Sequence, residues 1–488
     1  MAYFLTALVL LPALAAAFRN WRHGLFACVV VAILQDPLRK LTPGEPVYYI
    51  LLTGVVLGAT FLAAWGRVPL DPNHIAGWRR HLSAPFNLFL LLLAAQAANA
   101  YLQFGSPILV GIGLLSYMAP LPALVLGYQY AKRGGIRGIE RWLWFYLVVV
   151  FLALITVYLE YAGFDSPIFG EVGPGIAIYD RNLGLYIEAN CGLFRASEVA
   201  AWHAGTAACL LFLVGTERRL TIPRILIAFL LLGFLVGIGL LTGRRKMLVE
   251  VSIFLSVYFF LMAMFRKGGH KLAIVAVLFG VSSYIAAVGL LEPDPAEKRY
   301  HTRYQQQESY LSYVERGKTV IEDIPERLAG LGIRPVEWAV SQFGLFGAGL
   351  GTASQGAQHF GGGAEVFGGA GEGGLGKITM ELGVPGLLLV AWLAVAMVRH
   401  IWRVLTFVSA RSARLARLSY GFFALLVANG AVFSVATQVF GDVFVLLVLG
   451  LILGFLLAMP VLAKGEASGV RRGESGVEDR TLGLGRMV

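Results

Sequence analysis

Apolar runs follow one another along almost the whole chain, at about 2–18, 47–65, 85–104, 107–130, 142–160, 198–215, 222–242, 247–265, 271–291, 377–398, 418–440 and 443–462. About 20 apolar residues in a helix cross a hydrocarbon core of ~30 Å. Each run therefore predicts a membrane span. One further run, from Gly24 to Gln35, would reach only ~18 Å as a helix and reads as re-entrant or half-buried. The fold class is all-α, a polytopic transmembrane helical bundle of about 12–13 spans.

The polar segments divide this bundle. Residues 1–291 form an N-terminal transmembrane part, 292–376 a large loop domain, 377–463 a C-terminal set of spans, and 464–488 a Gly-, Glu- and Arg-rich tail whose composition predicts disorder. Within the loop, 293–331 is charged and rich in Tyr and Gln and predicts one or two helices over the bundle. Arg334-Pro335-Val336-Glu337-Trp338 opens a short amphipathic helix. A glycine-laden stretch from Gly344 to Gly386 follows, through Gly349-Leu350-Gly351-Thr352, Glu372-Gly373-Gly374 and Glu381-Leu382-Gly383-Val384-Pro385-Gly386. Such a stretch builds no core of its own, because glycine loses the most backbone entropy on ordering. Its use is to bring backbone close to something.

Composition agrees with a lipid environment. Of the 488 residues 57% are hydrophobic and 14% charged, against roughly 25% charged in a soluble domain. The net charge of +11 resides mostly in short loops between spans, so it records topology and argues against nucleic acid as a partner. Three cysteines, Cys28, Cys191 and Cys209, make neither a disulfide framework nor a Cys-type zinc site. The first run, Ala2 to Phe18, has no Lys or Arg before it and reads as a retained span rather than a signal peptide.

Orientation follows from the basic loops. Lys132, Arg133, Arg137 and Arg141 mark the cytoplasm, and counting spans outward makes 215–224 and 266–271 cytoplasmic too. The turn Gly243-Arg244-Arg245-Lys246 then falls outside, together with 161–196 and 292–376. Three adjacent cations on the outer side break the bias that the other loops obey. The simplest reason is an anionic ligand.

This succession of spans, an outer Gly-Arg-Arg end, one large late loop and a Gly-Leu-Gly turn followed by Glu-Leu-Gly-Val-Pro-Gly resembles the O-antigen ligase and O-antigen polymerase (Wzy/WaaL-like) superfamily. Phe194-Arg195-Ala196-Ser197-Glu198 with Trp202-His203 is similar to members that polymerise bacterial exopolysaccharide. The likeness runs over about 140–460. It implies a metal-independent, inverting glycosyltransferase with a GT-C-like fold, no cofactor, and a place in the bacterial inner membrane, working at the periplasmic face. The donor would be an undecaprenyl-diphosphate-linked glycan and the acceptor a glycan or lipid-linked hydroxyl, among membrane lipids and with room for a chain-length regulator. The ligases carry a His shortly before the Glu-Leu-Gly start; here Glu372 stands in about that place and His359 lies further back, which favours a polymerase or another relative.

The chemistry needs charge stabilisation on a leaving diphosphate and a base for the attacking hydroxyl. Arginine suits the first task, since its planar fork binds phosphate oxygens bidentately and stays charged. Arg244 and Arg245 sit where a membrane-borne diphosphate would float, and Arg195 reaches the same face from another helix. Their plain alternative is snorkelling to headgroups. Lys246 reads as a substrate-side or solvated neighbour. Glu372, flanked by glycines, is the candidate base, and an exposed loop carboxylate is its alternative. His203 would line the cavity or pack within the bundle. Ser197 is a candidate N-cap, with Glu198 pairing with Arg195 or with water. Gly349 and Gly351 would cradle phosphate or form a sharp turn. Glu381 belongs to a helix start. No metal ligands are assigned. The rival function is a transporter or flippase for a lipid-linked or anionic substrate, which would use the same arginines as a path.

Overall fold

The computed structural model describes residues 2–172, 178–180, 185–187, 189–217, 222–244, 246–265, 329–354 and 373–482. The helices are α1 (Ala2–Arg19), α2 (Trp21–Lys40), α3 (Leu52–Ala64, entered through the 3-10 turn Val47–Leu51), α4 (Trp78–His81), α5 (Ser83–Phe104), α6 (Pro107–Met118) and α7 (Pro120–Tyr161). A hairpin of β1 (Ile178–Asp180) and β2 (Leu185–Ile187) follows, with Tyr179 opposite Tyr186. Then come α8 (Ser197–Glu217), α9 (Ile222–Leu241), α10 (Lys246–Phe265), α11 (Arg334–Phe343), α12 (Gly374–Ser409), α13 (Ala413–Val435) and α14 (Val443–Leu482). Among the described residues nine helical segments are long and apolar enough to cross a membrane. The protein is a multi-pass helical membrane protein.

Several boundaries differ from the sequence expectation, each for a physical reason. The short run 24–35 is the middle of a 20-residue helix, α2, long enough for ~30 Å. Its polar ends escaped the apolar count because they are buried against protein, Gln35 and Asp36 at 1% and 3% exposure. The basic segment 132–141 is no open loop: helix runs on both sides of a break at Gly135, whose φ of 62° only glycine adopts easily. α14 is drawn from Val443 to Leu482. The last-but-one span ends at Val435, and a 3-10 turn, Gln438–Gly441, leads to α14. The span at 271–291 and the segment 293–328 lie outside the described residues.

α7 and α14 form the central pair. Their contact is made close by Gly127 and by Gly450 and Gly454, four residues apart: an added Cβ would come within 2.8 Å of Leu451 O, 2.5 Å of Pro120 O and 2.2 Å of Leu124 O respectively. In lipid, where helices gain nothing from leaving water, such small-residue seams supply the packing. A core of buried Trp142, Tyr146, Leu447, Leu451 and Phe455 fills the space beside it.

The bundle has two distinct ends. At the basic end Arg133 Nη2 donates to Arg67 O at 2.7 Å, Arg414 pairs with Glu140 and Arg403 meets His81. At the other, the loop end, Lys40 Nζ donates to the carbonyls of Ile168, Gly192 and Phe194 at 3.2, 2.8 and 2.7 Å. One side chain from α2 thus ties down the segment before α8. Glu160 Oε2 accepts the Cys191 and Gly192 amides there, and burial pushes the enclosed Cys191 thiol up from its ordinary value.

Candidate functional site

The loop-end rim is built where α2, α8, the α9–α10 turn and the α13–α14 turn meet. Asp36, at the end of α2, accepts the Arg195 backbone amide on Oδ2 at 2.9 Å. The Arg195 side chain turns the other way, its Nε 3.1 Å from Asp442 Oδ2. Asp442 is itself fixed, because its Oδ1 accepts the Phe444 amide at 2.8 Å and so caps α14. Both aspartates are 3% exposed.

Two residues further on, α8 starts against the α9–α10 turn. Arg244 Nε donates to Ser197 Oγ at 2.9 Å and its Nη2 lies 2.9 Å from Glu198 Oε1. The Ser197 hydroxyl and amide both donate to Glu171 Oε1, at 2.6 and 2.9 Å. The expected N-cap role of Ser197 therefore gives way to a rim role, because its hydroxyl links a carboxylate to a guanidinium. Glu198 pairs with Arg244, not with Arg195. The Arg195–Asp442 and Arg244–Glu198 contacts are off the hydrogen-bond axis at the named nitrogens, so they hold by charge. Lys246, at the start of α10, donates to Gln438 Oε1 at 3.1 Å.

Three of the cations expected at the site, Arg195, Arg244 and Lys246, thus sit at one end of the bundle, each with its own polar partner. Arg245 and Glu372 lie outside the described residues. The residue after Glu372, Gly373, accepts the Lys377 amide at the start of α12, and Gly374 is pressed against Phe433 near the end of α13, where a Cβ would meet Phe433 O at 2.4 Å.

Gly349 and Gly351 do different work from a phosphate cradle. A Cβ on Gly349 would stand 2.7 Å from Ala100 N and one on Gly351 2.2 Å from Leu109 O, with φ of +103° and +88°. The Leu350 amide donates to Gln96 O, the Ala348 amide to Met380 O and Gln96 Nε2 to Phe346 O. The glycines let this turn dock on α5, α6 and α12, and the space a phosphate would need is filled by backbone. Glu381 is fully buried; its Oε2 accepts from Tyr117 Oη at 2.7 Å and its Oε1 from the Ala353 amide at 3.2 Å. It joins the turn to α6.

His203 is also fully buried. Its Nδ1 lies 2.9 Å from Tyr146 Oη, and Phe194, Trp202 and Phe444 surround the ring. This places it beneath the rim as a packed residue rather than a cavity wall.

Sequence reasoning missed three acidic residues and one polar network. Asp36 and Asp442 lacked any signal beyond being carboxylates at span ends. Glu250 is 1% exposed in α10; its Oε1 accepts from Thr206 Oγ1 at 2.8 Å and Asn429 Nδ2 at 3.1 Å, and Asn429 Oδ1 accepts from Trp202 Nε1 at 2.6 Å. A carboxylate inside an apolar run was the available sign. Gly205 allows the approach, since a Cβ there would be 2.7 Å from Glu250 Oε2. The network joins α8, α10 and α13 one to two turns below the rim.

Among the described residues no group of three or more His, Cys, Asp or Glu side chains could hold a metal ion. No protein-family model and no curated protein matches the chain.

Proposed function

We propose that this protein is an integral membrane glycosyltransferase of GT-C-like architecture that polymerises or transfers undecaprenyl-diphosphate-linked oligosaccharide, at the periplasmic face of a bacterial inner membrane. The observation that carries this reading is the convergence of Arg195, Arg244 and Lys246, from two separate parts of the chain, on one end of the bundle opposite its basic end. Basic residues are enriched on the cytoplasmic side; the arginines held away from it are balanced by Asp442 and Glu198, carboxylates that stand where phosphate oxygens would bind. A lipid diphosphate would offer its oxygens to the two guanidiniums in place of Asp442 and Glu198. The leaving diphosphate gains negative charge as the glycosidic bond breaks, and fixed guanidiniums stabilise that charge most where water is scarce. The acceptor hydroxyl attacks the anomeric carbon directly and loses its proton to a carboxylate, for which Glu372 remains the candidate. Direct attack inverts the configuration.

The test is purified protein with a lipid-diphosphate oligosaccharide. Longer glycan and released lipid diphosphate are expected from wild type. Arg244→Ala should lower the extension rate about 100-fold or more, the scale of removing one transition-state donor, and Glu372→Gln should lower it as well. Glycan of unchanged length, with movement of the lipid across a vesicle, would replace this reading with transport.

A further inference from the structure

The start of α12 gathers a second set of donors at the loop end. The helix runs unbroken from Gly374 to the break at Gly383, where φ is 70°. Its N-cap, Gly373, has no side chain to offer, and among the described residues the amides of Gly374, Leu375 and Gly376 meet no acceptor. Every helix leaves such amides free in its first turn, and a Ser, Thr, Asp or Asn oxygen commonly satisfies one of them. Here glycine stands at 373, 374 and 376, so no side chain screens those peptide groups from an incoming atom. Gly374 seats the turn on Phe433 of α13. The Phe433 ring in turn meets Phe440 edge-on at 5.3 Å, in the 3-10 turn that also carries Gln438, the acceptor of Lys246. The start of α12 is therefore a wall of the rim.

Lys377 is the independent sign of a ligand. It is 8% exposed, and its ammonium has no hydrogen-bond or ion-pair partner among the described residues. Lys40, Arg195, Arg244 and Lys246 at the same end each have one. Glu381, four residues on and so on the same helix face, is spoken for: Tyr117 Oη donates to one of its oxygens at 2.7 Å and the Ala353 amide to the other at 3.2 Å. Unlike Trp142 Nε1 and His203 Nε2, the Lys377 nitrogen is not sealed from its surroundings. Side chains on a helix lean toward its N-terminus, so Lys377, one turn in, carries its ammonium back toward the free amides. The helix dipole favours negative charge at that point and the ammonium adds a full positive one. Three amides and an ammonium outnumber the oxygens of a carboxylate and suit the three of a phosphoryl group. Such an anion would enter without displacing any carboxylate.

We propose that the Gly374, Leu375 and Gly376 amides and the Lys377 ammonium bind a phosphoryl oxyanion, borne by a lipid or free in solution. The site differs in every residue from the two arginine pairs and stands whether or not the protein transfers glycan.

The test is acetylation of the full chain in detergent, with no glycan present and the modified lysines read by peptide mass spectrometry. Lys377 should be acetylated, and inorganic pyrophosphate should protect it where sodium chloride at equal ionic strength does not. Exposed Lys464 is the control for diffuse charge, and Arg244→Gln the control for an anion held at the arginines; Lys377 protection should persist in that variant. Farnesyl diphosphate that protects at lower concentration than pyrophosphate assigns the site to a lipid-borne phosphate, and equal or weaker protection assigns it to the free anion. Calorimetry supplies the second readout: Lys377→Gln should bind pyrophosphate about ten-fold more weakly, the scale of one charge-assisted hydrogen bond, and Lys377→Arg should retain it. Without anion, Lys377→Gln should unfold at the wild-type temperature, since no partner is lost. A Lys377 that the reagent does not reach or pyrophosphate does not protect, equal protection of Lys464, or protection lost in Arg244→Gln overturns the proposal. So does a destabilised Lys377→Gln that still binds pyrophosphate as wild type does. The labelling arm on wild type decides by itself if Lys377→Gln fails to fold.

Discussion

Arg195 has two claims on it, one structural and one chemical, and they can be separated. Replacing it by Ala leaves Asp442, at 3% exposure, without the guanidinium 3.1 Å away. Breaking a buried ion pair by removing one partner costs about 3–5 kcal/mol. The Arg195 side chain is 13% exposed, so some screening applies and about 3 kcal/mol is expected. Asp36 keeps its bond from the residue-195 amide, which any residue there but proline supplies. Asp442→Asn can still cap α14 through its amide oxygen. The double variant Arg195→Ala, Asp442→Asn therefore removes both charges and leaves the cap, and a coupling of about 1–3 kcal/mol should return. Thermal unfolding of the purified proteins measures this cycle, and glycan extension is measured in parallel. Stability should largely recover in the double variant while extension stays lost. An Arg195→Ala protein as stable as wild type would refute the structural account; a double variant that extends glycan would refute the chemical one.

Two further outcomes follow from the packing. Gly351→Ala should undock the turn at 344–354, since a Cβ cannot share space with Leu109 O at 2.2 Å and φ +88° costs a further ~1–3 kcal/mol for a non-glycine residue; faster chymotryptic cleavage after Phe346 would register it. Cys191 should resist maleimide at neutral pH, and its rate should stay low as pH rises through ~8.5, where an ordinary thiol ionises, because burial holds the proton on. Lys40→Met, which removes three bonds to the surrounding carbonyls, should restore both labelling and its rise with pH; unchanged labelling would show that Lys40 does not fasten this segment.

Much of the candidate site could be read from single residues. Arg244 stood out because a cation triplet at the wrong end of a span is visible without any contact, and Arg195 because its neighbours carried a recognisable phrase. Asp36 and Asp442 did not stand out, since they are 406 residues apart in the chain and only their meeting at Arg195 makes them notable. For Gly349 and Gly351 the sequence left a phosphate cradle and a sharp turn side by side for a related reason: a glycine permits close approach, but the chain does not say to what. Ser197 shows a local rule overridden, with Glu171 and Arg244 competing for the hydroxyl that would otherwise cap α8.

Hydropathy and basic loops by themselves determined that this is a bundle of spans with two unlike ends, because a bilayer imposes length and apolarity on any segment that crosses it and the cytoplasmic side gathers positive charge. Tertiary structure alone decided which side chains share each end. It made α2 a full-length helix by burying its polar residues against protein, gave the glycine turn to packing, and supplied Arg195 and Arg244 with a carboxylate each. Those outcomes depend on distances between residues far apart in the chain, and a linear pattern carries no information about such distances.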